Sequence, residues 1–303
     1  MFHHFHDDSH LPAQGSLSAS DFDLMISWLS DRYVILDAQE YKSRFLSRTL
    51  KNTDICLSFD DALKCQYDIA LPVLRKNNIS AFFFVYSSAF SDNPDFLEIF
   101  RYFRTTQFDS VDEFYNYFFD HLIQDNKVEF LSQHNQYSSL DYLSAFSFYT
   151  ENDKWFRYLR DQYLGNEKYM NVMFELISDK GFDINEAKKN LWMREDELLK
   201  VHENGHIVGL HSYSHPTQMS KLPADQQLKE YQQNFTHLSE VLKTSEIISM
   251  SHPCGDYNLE TLSILEGMGI QIGFRSNMGV KEIKSPLEIP REDHANVFKE
   301  MKQ

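Results

Sequence analysis

Residues 54–87 read DICLSFDDALKCQYDIALPVLRKNNISAFFFVYS. A short β-prone run from Asp54 to Phe59 ends in two aspartates, Asp60 and Asp61. A helix follows that carries Ile69, Leu71, Val73 and Leu74 on its apolar side, and the strand AFFFVYS from Ala81 completes a strand-helix-strand unit. Strands this apolar are buried on both faces, as in a parallel sheet covered by helices. Such sheets place their chemistry at the carboxyl ends of their strands, which is where Asp60 and Asp61 fall.

The same rhythm extends in both directions. Residues 1–6 suit a short strand, and SLSASDFDLMISWL from Ser16 reads as an amphipathic helix, capped by Ser18 or Ser20, with Phe22, Met25, Ile26 and Leu29 on one side. After Arg194 come the helix MREDELLKVHENG with Gly205 at its end, the strand HIVGLHS, and a helix from about Pro223 to Leu242. The strand Ile247–Met250, the turn SHPCGDYN, a helix to Gly267, the strand IQIGFRS and the segment LEIPRED close the pattern. From about Ser91 to Arg194 the β-prone runs vanish. Long aromatic helices such as FRYFRTTQFDSVDEFYNYFFDHL replace them, too long a stretch for a loop. The expected organisation is a parallel α/β domain over 1–90 and 195–303, interrupted by a helical insertion over 91–194.

At 303 residues the chain is long enough for one large α/β domain with an insertion, and its 42% apolar content marks it as globular. A net charge of −16 excludes nucleic acid and anionic lipid surfaces as expected partners, because both would repel it. Cys56, Cys65 and Cys254 are odd in number and lack CxxC spacing, so neither a disulfide framework nor a cysteine zinc site is indicated. The opening MFHHFHDDSH has no charged segment followed by an apolar run, and no apolar stretch reaches membrane-spanning length. The expectation is a cytoplasmic protein with no membrane span.

Three polar motifs sit at the ends of successive expected strands: SFDD (58–61), HSYSH (211–215) and SHPCGDYN (251–258). An Asp-Asp pair alone is ordinarily a solvated turn, and a His-x3-His pair alone is ordinarily a surface accident. Together, after apolar strands, they specify a site. On a helical turn the His-x3-His spacing puts both imidazoles on one face. One carboxylate and two imidazoles suit a three-ligand divalent centre with an open position, which acidifies a water and polarises a carbonyl. A second carboxylate beside the ligand can take the proton, since adjacent residues at a strand end point different ways.

LSFDDAL, HSYSH and AFFFV resemble the chitooligosaccharide deacetylase (NodB-type) homology domain of the polysaccharide deacetylases, carbohydrate esterase family 4. The resemblance spans roughly 50–90 and 195–291 and implies a distorted (β/α) barrel of about seven parallel strands. It implies Asp60 as general base and Asp61, His211 and His215 as ligands of one divalent ion, zinc first, with cobalt, nickel or manganese as alternatives. Two departures stand out. Ala62 replaces the usual glycine after the aspartates, and Ser251-His-Pro-Cys-Gly255 replaces an Arg-Pro-Pro-Tyr-Gly string, so the arginine that orients the base is missing there. SHPCGDYN is closer to a FAYPYGDYN variant whose branch carries a later Ile-Pro-Arg, matched here by Ile289-Pro290-Arg291. That resemblance makes Arg291 the partner of Asp60. In the poly-N-acetylglucosamine deacetylase branch, with permuted motifs, an N-terminal Tyr-His string supplies the catalytic acid. Phe2-His3-His4-Phe5 resembles it, which implies His3 as proton donor, with His4, His6 and His294 as rivals.

The implied activity is hydrolysis of the N-acetyl group of an amino sugar or glycan intermediate. A backbone N–H near Cys254-Gly255-Asp256-Tyr257 would support the carbonyl oxygen, and Tyr257 would either stack on a sugar or simply pack in its turn. Two other readings share the scaffold: a deformylase or other amide hydrolase, with specificity set by the insertion, and a non-catalytic carbohydrate-binding relative, suggested by the missing third-motif arginine.

Overall fold

A computed structural model describes every residue except 139, 141, 144–148, 280–282 and 303. Two compact units emerge, one formed by Met1–Asp95 with Asn190–Gln303 and the other by Phe96–Lys189.

The first unit is built on parallel strands. β1 (Val34–Ile35) pairs with β2 (Asp54–Ile55) as a separate ribbon. β3 (Ser58–Asp60), β4 (Phe82–Val85), β5 (Ile207–Leu210), β6 (Ser249–Ser251) and β7 (Ile272–Phe274) form a curled sheet in that spatial order, every neighbour parallel. This is the distorted (β/α) barrel that the resemblance implies; among the described residues its curled sheet has five parallel strands, against the about seven expected, and β1 and β2 form a separate ribbon. Both edges are extended by single bridges: Phe2 lies along Phe59, and Ile289 lies along Phe274. The segments around His3 and Arg291 are thereby drawn to opposite edges of the curled sheet.

Helices α1 (Ala19–Ser30), α2 (Ala38–Leu46) and α3 (Leu71–Lys76) belong to this unit. In α1, Ser18, not Ser20, is the cap: its Oγ accepts the Asp21 N–H at 3.0 Å. The buried face is Phe22, Met25, Ile26 and Leu29, as the periodicity predicts. β4 is buried along its whole length and sends alternate rings to opposite faces. Phe83 stacks on Phe59 at 4.7 Å, and Phe59 in turn meets Phe2, Phe5 and Phe22. Phe82 and Phe84 pack with Phe274, Ile272 and Ile289 on the other face. Truncating one of these fully buried rings to alanine costs about 3–5 kcal/mol.

The second unit contains α4 (Phe96–Thr106), α5 (Val111–Ser138), α6 (Glu151–Tyr158) and α7 (Gly165–Asp179), and α8 (Ile184–Leu191) runs across its boundary. Its core is aromatic, with Phe103, Phe114, Phe118 and Phe156 at its centre beside Met173 and Leu176. α5 is broken at Asn126, whose backbone (φ −152°, ψ 87°) leaves the helical region. The chain returns to the first unit through α9 (Glu195–Glu203), α10 (Ala224–Leu242), α11 (Leu259–Gly267) and α12 (His294–Met301). Among the described residues no helix is long and apolar enough to cross a membrane.

Candidate metal centre

The carboxyl ends of β3, β5 and β6 converge. At the end of β3, Asp60 still follows the sheet, with its N–H donated to Phe2 O. Asp61 and Ala62 then adopt left-handed backbones, φ 79° and 54°. That turn sends the two adjacent carboxylates in different directions, and it explains why glycine is the easier residue at position 62. Positive φ in consecutive non-glycine residues is strain of the kind held at functional sites.

HSYSH leaves β5 as an irregular loop, which corrects the expected helical turn. Ser212 (φ 65°) and His215 (φ 54°) are left-handed, so no helix can form across the pair. The loop is held instead by Glu230, whose carboxylate accepts the Tyr213 and Ser214 N–H groups and the Ser214 hydroxyl. The Ser212 hydroxyl accepts the His215 N–H at 3.1 Å. Asn234, fully buried on α10, accepts the His211 N–H and donates to Val85 O and Ser87 Oγ, tying the ends of β4 and β5 together.

These backbones bring Asp61, His211 and His215 into one cluster. Both Nε2 atoms lie 3.5 Å from Asp61 Oδ1. Ligand atoms about 2.0–2.2 Å from a zinc-sized ion stand roughly 3.3–3.6 Å apart at tetrahedral corners. His211 Nδ1 is 2.8 Å from the Ser251 carbonyl, which only accepts, so Nδ1 carries the hydrogen and Nε2 presents its lone pair to Asp61. Asp61 Oδ1 is itself buried without a hydrogen-bond partner. Two acceptors facing each other in a buried site call for a cation between them, so the donor set fits a divalent metal ion. His215 Nδ1 faces Asp95 Oδ2 at 3.7 Å on its far side.

Asp60 points the other way, onto Arg291. Nη1 meets Oδ1 and Nη2 meets Oδ2, both at 2.7 Å, with carboxylate and guanidinium buried. The remaining donors of Arg291 go to Arg275 O, Ser58 Oγ and Ser251 Oγ. Burial would raise the Asp60 pKa, but the charge of Arg291 and its hydrogen bonds bring it down to about 2. Ser251, which opens the SHPCGDYN motif, thus grips Arg291 through its side chain and His211 through its carbonyl, a double role the motif itself does not show.

His3 is the terminal-segment histidine that reaches both carboxylates. Its Nε2 lies 3.9 Å from Asp60 Oδ2 and 4.0 Å from Asp61 Oδ2, and its side chain keeps 27% exposure. Two of its rivals have other partners: His6 Nδ1 pairs with Ser16 Oγ, and His294 Nε2 with Gly15 O. Gln66, fully buried, donates to both His3 O and Asp60 O, fixing the two segments against each other. Gln66 carries no pattern visible in sequence.

Cys254, Gly255 and Tyr257 form the turn after β6. Cys254 (φ 52°) and Gly255 (φ 68°) are left-handed, and a Cβ at Gly255 would collide with the Ser276 side chain. The Gly255 and Asp256 N–H groups are spent on His252 O and Pro253 O within the turn. Tyr257 donates its hydroxyl to Glu288 at 2.7 Å and stacks on the buried His252 ring at 4.1 Å. Tyr257 is thus held in its turn by Glu288 and His252.

Comparison with known proteins agrees with this architecture. The sequence model of the polysaccharide deacetylases matches residues 47–102 and 166–273, more than half of the chain. No curated protein matches the sequence significantly. Similar solved structures include IcaB from Ammonifex degensii, 13% identical over 99% of this chain and 92% of that one, with a TM-score of 0.57. The Streptococcus pyogenes deacetylase PplD, solved in complex with acetate, is 15% identical over 96% and 88% of the two chains, with a TM-score of 0.54. A de-N-acetylase from Aggregatibacter actinomycetemcomitans is 13% identical over 96% and 91%, also with a TM-score of 0.54. The structures share the fold, and the sequence match, which carries the SFDD and HSYSH motifs within it, assigns the chain to the polysaccharide deacetylase family.

Proposed function

We propose that this protein is a metal-dependent hydrolase that removes N-acetyl groups from an amino sugar or a glycan intermediate. The observation that carries the proposal is the Asp60–Arg291 pair set beside the Asp61–His211–His215 cluster, with His3 about equally near to both carboxylates. Family membership and the shared fold of the deacetylase structures support it.

Asp61, His211 and His215 would hold the ion, zinc first among candidates. When bound, that ion supplies Lewis-acid activation of a water and of the acetamide carbonyl. Asp60, kept ionised by Arg291, accepts a proton from the attacking water. Arg291 and Ser251 fix the carboxylate so that only its free lone pairs can do so. The water oxygen bonds to the acetyl carbon, giving a tetrahedral intermediate. His3 delivers a proton to the amide nitrogen as the C–N bond breaks, releasing acetate and a free amine.

The direct test is acetate release from N-acetylglucosamine oligomers by the zinc-loaded protein. Asp60→Asn should abolish release while zinc stays bound; an active Asp60→Asn protein would overturn the role of Asp60. Formyl and cyclic amides run in parallel show whether the acyl group is acetyl.

A further inference from the structure

A second constellation of potential ligands lies beside the first. His3, Asp293 and His294 each offer a ligand atom within 4.8 Å of the others. Among the described residues, only this group and Asp61–His211–His215 meet that condition.

His294 is arranged as His211 is. Its Nε2 lies 2.7 Å from the Gly15 carbonyl, so Nε2 carries the hydrogen and Nδ1 holds the lone pair. A ligating histidine is typically oriented this way, with its other ring nitrogen donating to a carbonyl. Nδ1 is buried and makes no hydrogen bond, yet it faces Asp293 Oδ1 at 3.5 Å. The ring is clamped by stacking on Phe2 at 5.7 Å. Asp293 is fixed as the cap of α12, its Oδ1 accepting the Ala295 N–H.

We propose that His3, Asp293 and His294 form a second divalent-cation site of the zinc class. Two imidazoles and one carboxylate make the same donor set as the first site. The positive end of the short helix α12 opposes a cation there, but that effect is weak beside ligation by three donors. His3 belongs to both neighbourhoods, so filling the second site ties up the imidazole that the proposed reaction uses as proton donor. On that reading, which rests on the proposed function, excess zinc slows hydrolysis.

The test separates the two ideas by counting metal first. Apo protein is titrated with zinc and the bound metal measured by equilibrium dialysis with elemental analysis. The intact chain should bind two equivalents, the second more weakly. Asp61→Ala should lose the tighter equivalent, and His294→Gln the weaker. Asp293→Asn keeps the helix cap and guards against a folding artefact in the His294 variant; it should weaken the second equivalent about tenfold or more. Saturation at one equivalent in the intact chain, or two undiminished equivalents in Asp293→Asn, overturns the site. Acetate release is then followed against zinc: inhibition at excess zinc in the intact chain, relieved in Asp293→Asn, is the expected result. Two equivalents without any inhibition would keep the site and reject its coupling to His3.

Discussion

Arg291 meets Asp60 with two parallel hydrogen bonds of 2.7 Å, joining residues 231 positions apart in a buried pair. A bidentate guanidinium fixes the plane of the carboxylate as well as its charge. Arg291→Lys keeps the charge and loses the fork, so acetate release should fall on the order of a hundredfold with zinc stoichiometry intact. Arg291→Ala leaves a buried carboxylate uncompensated and should also destabilise the fold by about 3–5 kcal/mol in urea unfolding. A lysine variant with unimpaired turnover would show that the fork is dispensable.

Metal removal gives a second, independent check. Dialysis against a chelator should abolish acetate release, and zinc should restore it. His211→Ala should bind no tight zinc equivalent and remain inactive after metal is returned. If the chelated protein works as well as before, the cluster around Asp61 has no part in the reaction.

Asp95, 3.7 Å from His215 Nδ1, stands where an orienting carboxylate would be expected. Asp95→Asn should weaken the tight zinc equivalent about 10–100-fold with little change in thermal stability, measured by competition with a chromophoric chelator. An unchanged affinity would reduce Asp95 to a surface residue.

How much of this was legible beforehand follows from the reach of each signal. Asp60, Asp61, His211 and His215 are each flanked by an apolar strand, so local pattern located them. The strand character of Phe82–Val85 and the face of α1 came from periodicity. Arg291 and His3 were reached through resemblance, because nothing local distinguishes them from solvated residues. Ser251, although it opens the SHPCGDYN motif, showed no role of its own, and Gln66 and Asn234 were not legible at all. Their roles depend on hydrogen bonds across 40, 63 and 149 positions, and serine, glutamine and asparagine are common everywhere. The HSYSH loop misled because i, i+4 spacing is also compatible with a tight non-helical turn once two residues take positive φ.

His252 allows a prediction about pH. Its ring is fully buried under Tyr257, and burial lowers its pKa to about 4, against which the bond to Leu287 O works. Unfolded, the ring would take its proton near the ordinary value of about 6.5. Between those values the unfolded chain binds more protons, so stability is full above about pH 6.5 and declines as pH falls toward 4, by up to about 3 kcal/mol from this residue. His252→Gln retains a donor for Leu287 O. The difference in urea midpoint between the two proteins should shrink from pH 7 to pH 5; a difference constant with pH would mean that folding leaves the His252 pKa unchanged.

His3 can be separated from the metal ligands by the leaving group. An amine is expelled only when protonated, and general-acid catalysis of that step is worth about 10²–10⁴-fold. A nitrophenolate leaves without that proton. His3→Gln should therefore lose acetamide hydrolysis by such a factor while cleaving 4-nitrophenyl acetate nearly as fast as the intact chain. His211→Ala should lose both, because it dismantles the site that activates the water. Equal losses on amide and ester in His3→Gln would place His3 with the groups that build the site. The 3.9 Å and 4.0 Å approaches to Asp60 and Asp61 would then report a structural contact and not a proton path.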